Sequence, residues 1–181
     1  MKTHLFWLPK IGLFFAVAFL ALQAAPAAAA DSAGSGTYVK TDGAKQTSLT
    51  FKDVYAFRAE YSAKKPVTVV ILSESPLDKK AMTAALRKER EQKAIRQYLP
   101  VDKAWAQLIV EGDGKIDGFY LFTPPSSHLS RDSSRDTKSD VKVNTAKRVE
   151  GRFSNDRVEE KIDLRFATDL AEIGAPIKSY W

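Results

Sequence analysis

The sequence predicts a mainly β protein, an antiparallel β-sandwich or closed barrel of about eight strands with one α-helix inserted at about residues 76–98. Three observations carry that expectation. Runs of period-two alternation recur along the chain, the turn-forming pairs Asp42-Gly43, Asp113-Gly114 and Asn155-Asp156 separate several of them, and a single stretch has helical composition.

The elements follow in order. The start carries Lys2 and Lys10 but no acidic residue, then the apolar run from Ile11 to Leu22, then small residues up to Ala30. This is the pattern of a signal peptide of bacterial type, cleaved after Ala30. A run of twelve apolar residues rises about 18 Å as a helix, against roughly 30 Å of membrane hydrocarbon, so it reads as an export signal rather than a stable anchor. With no cysteine in the chain, lipidation at a cysteine is also excluded. The expected location is therefore the periplasm or the extracellular medium. Residues 31–36, DSAGSG, bury nothing and are expected to form a flexible leader; a single β-rich domain is expected over 37–181.

Within that domain, Thr37 to Thr41 and Gln46 to Phe51 flank Asp42-Gly43 as a hairpin. Val54 to Tyr61 alternates, with Tyr55, Phe57, Ala59 and Tyr61 on one face and Arg58 and Glu60 on the other. The run VTVVIL, Val67 to Leu72, is apolar on both faces and β-branched, as suits a central strand covered on both sides. The helix is expected to begin with Ser75 as cap and Pro76 in the first position, to carry an interrupted stripe of Met82, Ala85, Leu86, Ile95 and Leu99, and to stop at Pro100. Ala104 to Glu111 and Lys115 to Phe122 form a second hairpin, bringing Trp105, Leu108, Ile109, Phe119 and Tyr120 to the core. Residues 126–140 are rich in serine and charge and are expected to form a mobile loop. Val141 to Phe153 and Arg157 to Ala167 then pair around Asn155-Asp156, with Glu160 the exception on an otherwise apolar face.

The chemistry is bounded mostly by exclusion. The chain has 28 Lys and Arg against 22 Asp and Glu; loss of Lys2 and Lys10 with the signal lowers the formal charge from +6 to +4. Without cysteine there is no disulfide framework, thiol nucleophile or iron–sulfur site, and no cofactor or metal is expected. His128, the one histidine after the signal, sits among serines in the loop, where no rigid scaffold would hold a Ser-His-Asp triad. The segment from Glu111 to Gly118 has closely spaced acids but Lys115 where a calcium ligand belongs, so it reads as a hairpin turn. Glu159 and Asp163 share a strand face with Arg157, Lys161 and Arg165, the pattern of a solvated surface.

One cluster stands out. The helix carries seven basic residues against three acidic ones, a local balance of +4. Lys79, Lys80, Arg87, Lys88 and Arg90 are the candidate partner-binding residues, the 126–140 loop a second contact, and the expected partner an envelope protein or an anionic polymer. Arg87 with Glu91 and Glu89 with Lys93 could equally pair at i,i+4 along a solvated helix. Export and the lack of interleaved aromatics argue against nucleic acid. The expected function is thus a non-enzymatic exported binding or accessory domain, inhibitor- or immunity-like. Two alternatives remain open: a hydrolase of cell-wall material working through Glu74, Asp78, Asp113 or Asp117, and a small outer-membrane β-barrel, suggested by eight strands and a terminal Trp181.

Overall fold

The computed structural model describes residues 33–61, 65–125 and 137–179. Its strands are β1 (Ala33–Asp42), β2 (Lys45–Phe51), β3 (Asp53–Tyr61), β4 (Lys65–Ser73), β5 (Trp105–Glu111), β6 (Ile116–Phe122), β7 (Thr137–Asn144), β8 (Arg148–Asp156), β9 (Glu160–Asp169) and β10 (Ile177–Lys178). Helix α1 (Lys79–Glu89) and a 3-10 helix (Gln92–Tyr98) lie between β4 and β5. The strands form two five-stranded sheets, an outer one ordered β2-β1-β9-β8-β7 and an inner one ordered β10-β3-β4-β5-β6. All pairings are antiparallel except the short β10 beside β3. The protein is thus a β-sandwich, and the closed barrel expected as the alternative is not formed: among the described residues the strands fall into two separate sheets.

The inner sheet is covered on both faces. Between the sheets lie Phe51, Ala56, Val70, Leu108, Phe119, Phe153 and Leu164. On the far side Phe57, Val69, Ile71 and Ile109 pack under Met82, Leu86, Ile95 and Ile173, so the helices and the segment between β9 and β10 form a third layer. This explains the two-faced apolar run of β4, buried from Val67 to Ser73. Alternation in β3 falls as expected, with Tyr55, Phe57 and Ala59 toward the helices. In the single-faced β9, Ile162, Leu164 and Phe166 point inward. Glu160, the exception, accepts a hydrogen bond from the Tyr38 hydroxyl at 2.8 Å. Burial, reinforced by that carboxylate, pushes the Tyr38 phenol well above its usual range.

Four expectations are corrected. The flexible leader is strand from Ala33 onward, paired with β9 from Ala33↔Ala167 to Gly36↔Leu164. Its small residues are required there: a Cβ on Gly34 would sit 2.5 Å from Val54 Cβ. Residues 137–140 of the expected mobile loop belong to β7; the rest of that loop lies outside the described residues. The single strand expected from Val141 to Phe153 is broken at Thr145, whose hydroxyl accepts from the backbone N–H groups of Lys147 and Arg148 at 3.3 and 3.1 Å, a side-chain-stabilised turn. Consequently the next turn falls after Asp156 rather than at Asn155-Asp156.

The helix is the fourth. Asp78, not Ser75, caps it by accepting from Ala81 N–H at 2.9 Å, and α1 ends where Arg90 turns left-handed at φ 59°. The stripe dictates the break. Leu86 and Ile95 are nine residues apart, so at about 100° per residue a straight helix would place them on opposite faces. Both must meet the inner sheet, and the reversal at Arg90 followed by the tighter 3-10 turn achieves it.

Candidate functional site

The predicted basic cluster is divided by the fold. Lys79 Nζ pairs with Asp53 at 2.7 Å. Arg87 Nε donates to the Glu172 carbonyl at 2.6 Å, and the Arg90 guanidinium donates to the carbonyls of Ile173, Ala175 and Pro176. These side chains fasten the helical layer to the rest of the chain. Lys80 and Lys88 remain exposed to solvent. The helix break also removes the i,i+4 register of the expected charge pairs, and Lys93 instead meets Glu91 at 2.7 Å. Burial would push the Asp53 carboxyl up, but Lys79 and the backbone N–H groups of Leu77 and Val54 outweigh it and hold the group below the usual carboxylate range.

A concave, mostly apolar site lies beside that cluster. A cleft of about 690 Å³ opens between the 3-10 helix and the β5–β6 hairpin. Register sets its floor: Gln107 on β5 stands between Ile71 on β4 and Tyr120 on β6, all three projecting to the helical side. Ile95 and Leu99 form one wall, and the stacked rings of Trp105 and Phe122, 5.5 Å apart and 15° from parallel, form the other. Val101 stands at the rim, 82% exposed. Glu91, Lys93 and Arg96 supply the polar margin, one acid against two bases.

Gln107 is only 1% exposed. Its Oε1 accepts from Gln92 Nε2 at 2.8 Å, and Gln92 Oε1 accepts from the Ser179 hydroxyl at 2.7 Å. The relay stops there, because Gln107 Nε2 has no partner among the described residues. A buried donor left unpaired costs about 1–3 kcal/mol, so its presence on the floor of an apolar cleft is a chemical signal. The sequence carried it: Gln107 is the one polar residue within Ala104–Val110, a run buried on both faces. Being uncharged, it adds nothing to the charge pattern that marks the neighbouring helix.

The carboxylates of the hydrolase alternative are not brought together. Glu74 accepts from Ala104 N–H at 2.9 Å, Asp78 caps α1, and Asp113 accepts from Lys115 N–H at 3.0 Å in the β5–β6 turn. Glu74 follows Ser73, which pairs with Trp105, whereas Asp113 and Asp117 lie beyond or near the Glu111 end of β5. Seven strand residues, roughly 20 Å, separate the two groups. Asp163 is held below the usual carboxylate range chiefly by Arg152, whose Nε lies 2.6 Å away. His128 is outside the described residues.

A second, more open groove of about 990 Å³ lies on the outer sheet, lined by Lys138, Arg152, Arg157 and Lys161 beside Asp163. Among the described residues no group of three or more histidine, cysteine or acidic side chains is placed to hold a metal. No family model, curated protein or solved structure matches the chain.

Proposed function

We propose that this chain is an exported binding domain without catalysis of its own, and that it contacts an envelope protein or anionic polymer that presents an apolar group to the cleft between the 3-10 helix and β5–β6. The observation that carries the reading is the coincidence of apolar aromatic walls and a basic margin in one concavity, over a floor that holds a buried unpaired amide, the combination typical of ligand sites. Lys80 and Lys88, exposed on the adjoining helix, extend the basic margin and keep part of the charge cluster in play.

The test is retention of envelope components by the immobilised protein, compared with Val101→Glu and with the double variant Lys80→Glu/Lys88→Glu. Val101 is largely exposed, so its substitution places a charge at the cleft mouth with little effect on folding. Loss of a retained partner in Val101→Glu is the expected result. Retention unchanged by Val101→Glu but abolished by the lysine reversals would return the site to the helix. Retention that falls steeply with salt and ignores both variants would favour a second reading, in which a polymer lies along the basic groove of the outer sheet.

A further inference from the structure

Resting on the cleft as the binding site, we infer that it also takes a small ligand of its own, a free medium-chain fatty acid, whose chain lies against the Trp105–Phe122 pair and whose carboxylate stays outside at Arg96. What the cleft can bury is limited by what it can pair. Gln92 Oε1 accepts from the Ser179 hydroxyl and Gln92 Nε2 donates to Gln107 Oε1, while Gln107 Nε2, in a residue only 1% exposed, is sealed beneath the floor. Ile95, Leu99 and the stacked rings of Trp105 and Phe122 make the walls mostly hydrocarbon. A peptide backbone or a sugar seated there would leave its own amides or hydroxyls short of partners. A saturated chain has no such group and gains dispersion contacts along its length. Size agrees: about 690 Å³ lies within the range of roughly 300–1,000 Å³ for pockets that enclose drug-sized ligands, and a chain of about twelve carbons is smaller than those. The margin sets the sign of the head group. Glu91 is held by Lys93 at 2.7 Å, whereas Arg96 is exposed and its guanidinium meets no carboxylate among the described residues. A carboxylate placed there keeps most of its water and matches the planar fork of an arginine, while a cationic head is repelled.

The probes are octanoate, decanoate and dodecanoate, titrated calorimetrically into the purified protein at pH 8 below their micelle concentrations, with dodecyltrimethylammonium as the cationic control. Affinity is expected to rise about ten-fold for each two carbons added, the scale of burying two methylenes. Dodecanoate should bind about three-fold or more tightly than the cation. Arg96→Glu, at an exposed position, should reverse the order of the two head groups and keep the dependence on chain length. The seat is read separately. In a Trp181→Phe variant of the exported protein, Trp105 is the only tryptophan after residue 30, and 12-bromododecanoate should quench its fluorescence where dodecanoate does not. Dodecanoate should also release the envelope partner that the immobilised protein retains. Affinities that ignore chain length, a head-group order that survives Arg96→Glu, or binding without quenching would overturn the inference. So would binding to vesicles of phosphatidylglycerol with none to the free acids, which would make a membrane the source of the chain. Binding seen only after removal of Tyr180 and Trp181 would overturn it too, making the cleft a seat for the chain's own tail. No binding of any probe defeats the fatty-acid assignment alone, while an envelope partner indifferent to Val101→Glu defeats the reading beneath it.

Discussion

Arg90 is at once a strained backbone position and a fastening point. Its left-handed φ of 59° costs a non-glycine residue about 1 kcal/mol or more, and the guanidinium offsets this through bonds to the carbonyls of Ile173, Ala175 and Pro176. Both Arg90→Ala and Arg90→Gly lose those bonds, but only glycine sheds the strain. We expect the alanine variant to lose about 1–3 kcal/mol and the glycine variant about 1 kcal/mol less, measured by urea unfolding. Equal stabilities would show that the backbone there is unstrained. Asp53 makes a second prediction. Its carboxyl is held below the usual value in the folded state, so the stability it contributes is complete above the unfolded value of about 4 and is lost as pH falls through the folded value. The gap between wild type and Asp53→Asn should therefore be widest near neutrality and close on acidification below about pH 4. A gap that stayed constant from pH 7 to pH 3 would remove the charge from the explanation. Neither role was readable in sequence, where Asp53 and Lys79 are 26 positions apart and only the sheet brings them to 2.7 Å.

At the scale of elements, legibility followed burial. Strands β3, β4 and β9 announced themselves because their faces meet uniform surroundings, and an alternating or continuous apolar pattern has one reading in such a place. The helix break was present in the spacing of Leu86 and Ile95 but masked by strong helix formers between them. The first part of β1, residues 33–36, was concealed by its composition. Glycine and serine read as loose chain when burial is judged by side chains, yet here the backbone itself approaches another sheet: a Cβ on Gly34 would lie 3.0 Å from the Asp53 backbone as well as 2.5 Å from Val54 Cβ. Gly34→Ala should accordingly cost about 2 kcal/mol or more by overpacking, whereas Gly112→Ala, with nothing within 4 Å, should stay within about 0.5 kcal/mol. Matching thermal midpoints for the two variants would refute the close approach. The candidate cleft was legible only in fragments, because its members come from β4, β5, β6 and the 3-10 helix and meet through strand register that no local pattern encodes.

At the scale of the molecule, the two sheets are built from different kinds of connection. In the inner sheet β3, β4, β5 and β6 are neighbours in both space and chain order, and β7, β8 and β9 are likewise consecutive in the outer sheet. Two pairings break that order: the short β10 beside β3 at Ile177↔Ala59, and, far more extensively, β1 with β9 from Lys40↔Glu160 to Ala33↔Ala167, separations of 120 to 134 residues. Closing so long a loop before any contact rewards it is entropically costly and slow. Pulse-labelled hydrogen exchange during refolding should thus protect the amides of β4 and β5 before those of β1; simultaneous protection would mean that the outer sheet nucleates the fold. Time gives the central place of β1 a further meaning. For a chain delivered amino end first, from a ribosome or through a translocation pore, the first strand made is among the last to find its seat, since β9 is complete only at Asp169. Until then β1 and β2 form a ribbon tied only to β3, and the apolar inner face of the outer sheet lacks the strands beside it. Such a chain can form its inner sheet early but leaves the outer sheet open until its last long strand is made, which makes the interval before closure the one in which a chaperone would matter most.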